Sequence, residues 1–351
     1  MQTRLSCVSS ISCKILRVFS PSGRSQEFVR IELDSKGEIM IETKTATIAT
    51  LTTELPASTK FESSPSSDEA FKEVSNTPGS KVKIKKSAKL IPFVFMHLAC
   101  ISVFFVDFSI TAVLLCVGLY AIRMFALTAG YHRYFSHRSF KTSRVFQFLL
   151  GLLGTMAVQK GPLWWAAHHR RHHRYSDQEG DVHSPVQEGF WWSHVGWIVS
   201  PKFDPTDWDA IKDFSRYPEL RWLNTYHLIP PVALAVLLFL LGGWQWLVWG
   251  FFLSTVILYH GTFSVNSLSH VWGSRRYATT DQSRNNFLIA LWTGGEGWHN
   301  NHHHYMASVK QGFYWWEVDF SYYVLKVMSW VRLVRDLRVP PKHLLAEARV
   351  S

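Results

Sequence analysis

From residue 90 onward the chain alternates between long uninterrupted apolar runs and polar stretches crowded with histidine. LIPFVFMHLACISVFFV ends near Val106, Asp107 marks a tight turn, and FSITAVLLCVGLYAIRMFALTAG continues to Gly130. At 1.5 Å per residue, roughly 17 to 23 apolar residues cross the ~30 Å of hydrocarbon in a bilayer, and the short link makes these two runs a hairpin. A second pair starts near His227 with HLIPPVALAVLLFLL, passes Gly242 and Gly243, and continues as WQWLVWGFFLSTVILYHG to Gly261. None of the four shows the polar stripe at helical period that a core helix of a soluble protein carries. The pattern predicts an all-α integral membrane protein with four transmembrane helices in two hairpins. FQFLLGLLGTMAV (146–158) and GFWWSHVGWIV (189–199) are too short to span, and their aromatics suit an interfacial position.

Residues 1–89 have a different texture. Serine and threonine are frequent, apolar periodicity is weak, and Pro56, Pro65, Pro78 and Gly79 interrupt any helix. Such a segment cannot bury a core and is expected to be a disordered tail. Its first 26 residues contain Arg4, Lys14, Arg17 and Arg24 and no acid before Glu27, a composition that fits a transit peptide as well as a plain extension. The membrane domain is expected over 90–340, with a short C-terminal tail over 341–351.

Composition agrees with the membrane reading: only 18% of residues are charged, 15% are aromatic, and Trp alone numbers 16. The net charge of +11 favours an anionic partner. No nucleic-acid module is present, so a membrane surface is the expected one. Lys81, Lys83, Lys85, Lys86 and Lys89 precede the first span, and 131–226 and the C-terminal stretch also carry Lys and Arg, whereas the turns near 107 and 242 carry none. By the positive-inside rule, both termini and the long central loop lie on the cytoplasmic or stromal side; endoplasmic reticulum, plastid and bacterial inner membrane all fit. The four cysteines, Cys7, Cys13, Cys100 and Cys116, show no metal-thiolate or disulfide spacing.

Every histidine cluster falls on that same side. His169, His172 and His173 form an H-x-x-H-H box, repeated by His299, His302 and His303. On a helix these positions share one face, and imidazole is the commonest metal ligand at neutral pH. His132 and His137 follow the second span. Five residues rotate a straight helix by about 140°, so the helix is expected to end or bend between them. Asn266 and His270, at i and i+4, follow the fourth span and share a face. Nine histidines and one asparagine exceed what one six-coordinate ion accepts, so two centres are expected, and an imidazole set suits iron, copper, zinc or nickel. Neutral rings leave the ions' charge uncompensated, so Asp177, Glu179, Asp181 and Glu296 are expected to hold the far ring nitrogens. Trp164, Trp165, Thr262 and Phe263 adjoin these segments and are candidates to line a substrate channel. His97, His227, His260 and His343 match no cluster, His168 and His304 fall off the shared spacing, and His183 and His194 are expected either to support the ligands from behind or to support structure.

At GYHRYFSHRSF, HHRRHHRYSDQEGDVHSP, GFWWSHVGW, NSLSH and GEGWHNNHHH the chain resembles the membrane fatty-acyl desaturases, nearest the Δ9 stearoyl-type, acyl-CoA branch, over roughly 91–340. The resemblance implies two irons held by His132, His137, His169, His172, His173, His270, His299, His302 and His303, with Asn266 acting through a water. It also implies a helical cytoplasmic cap, an acyl tunnel beneath the metals, O2 as co-substrate, and insertion of a cis double bond into a saturated acyl chain in unsaturated fatty acid biosynthesis. No H-P-G-G haem motif is present, so electrons are expected from a separate ferredoxin or cytochrome b5. Removing hydrogen from an unactivated methylene demands a metal-activated oxidant, which agrees with the histidine count.

The chain departs from the acyl-CoA pattern at the positions that serve the CoA headgroup. Ala167 and His168 stand where that branch has an Arg-Asp pair, Pro201-Lys202 replaces a basic pair, and Phe263 replaces a Trp. Acyl-CoA with Lys202 as a headgroup contact is the expected carrier, an acyl-lipid substrate being the alternative. A di-iron hydroxylase is the nearest different chemistry. A non-enzymatic metal-binding membrane protein would place ionisable residues inside the spans, which here hold almost none.

Overall fold

The computed structural model describes residues 90–345 and the backbone of three segments nearer the N-terminus, 12–19, 26–33 and 39–46. Two compact units are present, Met1–Lys85 and Lys86–Ser351. In the first, β1 (Ser12–Phe19), β2 (Gln26–Leu33) and β3 (Ile39–Ala46) pair antiparallel in that order. Over these segments the expected disorder gives way to paired strand. The reason is legible in KILRVF, EFVRIEL and IMIET, short runs dense in the β-branched and aromatic residues that favour strand. The remainder of the 1–89 tail, the transit-peptide reading of 1–26 outside β1, and the 341–351 tail beyond Leu345 lie outside the described residues.

The second unit is mostly helical. α1 (Leu90–Ala99) tightens into a 3-10 turn over Cys100–Phe105. α2 (Ile110–Phe125) starts at Ser109, whose hydroxyl accepts from the Ala112 N–H at 3.1 Å, and continues as a π-helix over Ala126–Ser136. α3 (Arg144–Thr155) is capped by Ser143. α4 (Pro162–Tyr175) follows Gly161 with Pro162 in its first turn, where the missing N–H costs nothing. α5 (Ile229–Trp246), a π segment at Leu247–Leu253 and α6 (Ser254–Ser267) complete the second apolar region. Gly242 and Gly243 are non-helical inside α5, and Gly243 has φ 59° and ψ −152°, a conformation open essentially to glycine alone. The chain bends there, and Leu238 ahead of the bend packs in one apolar cluster with Phe251 behind it.

Two helical runs, Ile110–Ser136 and Ile229–His270, are long and apolar enough to cross a membrane, and Leu90–Phe105 and Arg144–Thr155 are shorter apolar helices. Only 33% and 17% of the most apolar windows of the two long runs are buried within the protein. A core helix of a soluble protein would be mostly buried. Here Leu114, Val117, Leu237, Leu240 and Leu241 face outward, as residues in contact with lipid do.

What anchors the runs is polar and internal. Arg123, 1% exposed, donates to Thr255 Oγ1 at 2.7 Å, to Met156 O at 3.3 Å, to Leu119 O at 3.0 Å and to Ser254, tying α2 to α6 and to the end of α3. A buried core of Leu127, Tyr131, Phe135, Leu150, Leu163 and Leu223 lies under the cap. The cap comprises α4, α7 (Phe287–Thr293), α8 (His299–His304) and α9 (Phe320–Trp330), with a short β4–β5 ladder joining Lys141–Thr142 to Val334–Arg335.

Gly154 shows how closely this core is filled. A Cβ there would stand 2.3 Å from the Tyr131 ring, which is pinned by hydroxyl bonds to Thr155 Oγ1 at 2.8 Å and Lys160 O at 3.1 Å. Gly154→Ala is therefore expected to destabilise the domain by about 1–3 kcal/mol, the usual cost of overpacking. Thermal denaturation of the detergent-solubilised protein measures it.

Candidate metal centre

Four segments deliver the imidazoles. The first depends on the π-helix at Ala126–Ser136. The His137 N–H donates to His132 O at 3.2 Å, an i→i+5 bond, so the wide turn brings the two rings together at a centroid separation of 4.8 Å. The helix widens over this stretch and ends at Ser136 with His137 as its C-cap, so the expected end falls between the two histidines. α4 supplies His169, His172 and His173 from one face. α6 tightens into a 3-10 turn at Leu268–His270, which carries His270 inward. α8 supplies His299, His302 and His303, and its two asparagines anchor it from the other side. Asn300 Oδ1 accepts from the Arg276 and Tyr277 N–H groups at 2.8 Å each, and Asn301 Nδ2 donates to Gln311 O at 3.0 Å and to Glu317 Oε2 at 2.9 Å.

All nine histidines converge, in two groups. His132, His137, His169, His173 and His302 form one; His172, His270, His299 and His303 form the other, each with ligand atoms within 4.8 Å of one another. In the first, Nε2 of His132 lies 3.0 Å from that of His302, His137 2.9 Å from His169, His169 3.0 Å from His173, and His173 2.9 Å from His302. In the second, Nε2 of His270 and His299 are 3.0 Å apart. Asn266 lines the adjoining cavity beside His172 and His299, and its main-chain oxygen accepts from Ser193.

Carboxylates stand behind the rings. His172 Nδ1 donates to Asp181 at 2.9 Å, His270 Nδ1 to Asp177 at 2.7 Å, His303 Nδ1 to Asp281 at 2.5 Å, and His132 Nδ1 to Glu296. Asp177, Asp181 and Glu296 thus stand where the sequence placed them. Glu179 does not: it is exposed and bonded to none of the rings, because the turn after α4 aims its neighbours inward and leaves it in solvent. Asp281 was missed. It lies in a loop 22 residues from His303 with no periodic relation to it, and its one local signal is a turn-forming Asp that accepts the Ser283 N–H at 3.0 Å. Gln311 was missed as well; its amide donates to Glu296 Oε2 at 3.1 Å.

A neutral imidazole has one N–H. Where Nδ1 spends it on a carboxylate, Nε2 is left with a lone pair. Nε2 of His172 and of His303 are buried and hydrogen-bonded to nothing. Burial first, and the facing rings second, hold His137, His169, His173, His299 and His302 well below the ordinary imidazole range. Burial also lowers His303, to about 4 against the pull of Asp281. In His172 burial is outweighed by Asp181, which raises it. Among the acids, burial is overcome by the histidines, so Asp177, Asp181 and Asp281 titrate below the usual carboxylate range and Glu296, facing His132 and Arg133, at about 2. Buried imidazole nitrogens converging on two points, with anions behind four of the rings, form a donor set that two metal ions would fit.

Both groups open onto one cavity of about 360 Å³, within the range of small-molecule sites. His132 and His169 of one group and His172 and His299 of the other line its polar end; Phe93, Met96 and Phe251 line its apolar depth. Trp164, Trp165, Thr262 and Phe263 all line it, and Gln159 donates to Thr262 at 2.7 Å across it. Lys202 does not line it. It is exposed, with its ammonium over the Phe203 ring at 5.2 Å, because the short turn after Ser200 points it outward.

A family model described as fatty acid desaturase matches residues 108–326. Among curated relatives, an sn-2 palmitoyl-lipid 9-desaturase of Nostoc sp. is 37% identical over 253 residues, 71% of this chain and 88% of that one. An acyl-CoA C20 Delta5-desaturase of Anemone leveillei is 35% identical over 289 residues, 77% of this chain and 92% of that one. A chloroplastic palmitoyl-monogalactosyldiacylglycerol delta-7 desaturase of Arabidopsis thaliana is 36% identical over 252 residues, 70% and 67% respectively.

The contrast between Asp281 and Glu179 is testable. Asp281→Ala unties the His303 ring and is expected to weaken metal retention about 10–100-fold, whereas Glu179→Ala leaves it unchanged. Metal per chain after dialysis against graded chelator distinguishes the two. Acidification acts in the same direction as Asp281→Ala, since protons compete for the ring nitrogens.

Proposed function

The chain belongs to the fatty acid desaturase family, and on that premise we propose that it inserts a cis double bond at the Δ9 position of a saturated acyl chain. The observation that carries this reading is the apolar cavity that begins at both histidine groups, since an acyl chain lying in it passes its methylenes beside them. Two irons, held by the nine histidines with Asn266 acting through a water, would supply the oxidation, drawing on O2 and two electrons from ferredoxin or cytochrome b5. The protein's part is position. Hydrophobic fit fixes the depth of the chain, and depth fixes which methylene pair lies beside the metals. Trp164, Trp165 and Phe263 give the wall beside the histidines bulky apolar surface.

We assign the chain four membrane spans, in two hairpins over 90–130 and 227–261, with the histidine face on the cytoplasmic or stromal side. Residues 90–340 form the desaturase domain in this reading. The outward apolar faces and the basic residues flanking the spans support it.

The carrier is the finer question. The sequence resemblance favours CoA, but the charges around the cavity favour a membrane lipid. Lys160 is the sole lysine or arginine among the described residues lining the cavity, and Asp204 pairs with it at 2.7 Å. His168, also lining it, is pushed down to about 4 by burial and is neutral at physiological pH. CoA phosphates are best met by free cations; a lipid-linked chain needs none. Relatives with lipid-linked substrates, such as the Nostoc protein, agree with this second reading.

Expression in a desaturase-deficient yeast, with fatty-acid analysis of each lipid class, tests both levels. A new Δ9-unsaturated chain is expected, appearing first in membrane lipid if the carrier is a lipid and in acyl-CoA if it is CoA. Oxygenated product would point to a hydroxylase. His172→Ala is expected to abolish the product while the spans still insert; retained desaturation would break the assignment of that ring.

A further inference from the structure

The cavity reaches the outside of the domain between two helices. Phe95 of α1 and Leu228 and Val232 at the start of α5 all line it, and each is more than half exposed. Met96 and Pro231, which line it beside them, are buried. A wall closed towards the bilayer would bury its side chains. These three border the cavity and the outer surface at once, so a single layer of side chains separates the acyl space from lipid.

The outer surface carries the cavity's apolar character onward. Leu228, Val232, Val236 and Leu240 recur every four residues, one ridge of a helix, and with Ala233 and Leu237 they line an open groove along α5. Leu228 and Val232 belong to groove and cavity alike. The two spaces therefore meet at those two side chains.

The seam between α1 and α5 is fastened unevenly. At the far end of α5, Ser109 donates to Gln245 Oε1 at 3.2 Å and Gln245 Nε2 donates to Asp107 O at 2.6 Å, tying α5 to the turn ahead of α2. Further in, Met96, Leu234, Leu238 and Phe251 share one apolar cluster. The side-chain hydrogen bonds of α1 go elsewhere: His97 Nδ1 donates to Phe93 O at 2.7 Å, and its Nε2 meets His260 of α6 at 3.2 Å. Phe95, Leu228 and Val232 have no polar side-chain atoms, so rotating them aside breaks no side-chain hydrogen bond.

A lipid-linked chain needs such an opening. Its ester is held at the membrane surface, and a second chain shares the same glycerol. Threading it in from water would draw the methylenes of both chains out of hydrocarbon, at the full cost of exposing apolar surface. A slot in the wall lets one chain swing sideways without leaving the bilayer. Basic residues flank this end of both helices, which places the slot in the cytoplasmic or stromal leaflet.

We propose that the seam between Phe95 of α1 and Leu228 and Val232 of α5 is a lateral portal for an intact diacyl glycerolipid. One acyl chain enters the cavity through it while the sister chain rests in the α5 groove. This rests on reading the cavity as the acyl tunnel, and it names the substrate class of that site.

The test uses CoA-depleted microsomes of desaturase-deficient yeast expressing the full chain. They are loaded with phosphatidylcholine and monogalactosyldiacylglycerol, each carrying one deuterated stearoyl chain, and iron per chain is assayed alongside. The wild type is expected to desaturate the deuterated chain while it remains esterified. Bulk at the portal should slow this step in order of size with iron unchanged: Val232→Phe in part, Val232→Trp almost completely, Val232→Ala not at all. Leu241→Trp, on an exposed position of α5 that lines neither cavity nor groove, should match the wild type. In a second arm on the wild type, a diazirine on the sister chain should crosslink to Val236 and Leu240. Desaturation indifferent to bulk at 232, or crosslinks that miss the groove, overturns the portal and leaves the desaturase reading standing. So does a wild type that desaturates stearoyl-CoA and neither esterified chain. A wild type that makes no unsaturated product from any of these substrates overturns the desaturase reading itself, and the portal with it.

Discussion

A single buried guanidinium joins the membrane end of the metal centre to its cap. Arg133, 0% exposed and carried on the π-helix one residue beyond His132, donates to Asp319 at 2.9 and 3.1 Å, to Val309 O at 2.8 Å and to Glu296 at 2.9 and 3.2 Å. Glu296 also receives the His132 ring, and Asp319 caps α9 and accepts the Gln311 N–H at 2.7 Å. Removing one partner of such a buried group leaves an uncompensated charge and costs about 3–5 kcal/mol. Through this one side chain the His132 segment is tied at once to Glu296 ahead of α8, to the cap of α9 and to the loop between them.

That dependence explains what the sequence could and could not reveal. The boxes were legible because i, i+3 and i+4 is a helical face whatever the surroundings, and the apolar runs were legible because a bilayer imposes their length. The pairing of His132 with His137 was expected, but the π geometry that achieves it was not, because local sequence does not encode a π turn; Arg133, buried and doubly paired, holds that segment from outside. Asp177, Asp181 and Glu296 follow their histidines closely enough to be inferred, and Glu179 follows as closely yet faces solvent. Asp281 reaches His303 only through the tertiary path of a loop, so no spacing could have announced it. Lys202 failed for the converse reason: a charge expected at the cavity is directed away by a three-residue turn.

The strands at 12–46 carry the same lesson at the other end of the chain. The serine- and proline-rich texture of 1–89 reads as disorder, but KILRVF and EFVRIEL within it are short runs dense in the β-branched and aromatic residues that favour strand. In the membrane domain, by contrast, period matters less than environment. The outward faces of α2 and α5 are as apolar as a core, and only their low burial separates lipid contact from interior packing.

The carboxylates behind the rings are unevenly shared. Asp177, Asp181 and Asp281 back three of the four histidines in one group, while Glu296 alone backs one of the five in the other, and half of its charge answers Arg133. Two ions of the same element held in this cage would be inequivalent. The anion-rich group of four would suit the more highly charged ion and the five-histidine group the less charged one, so the pair would show two distinct spectroscopic signatures.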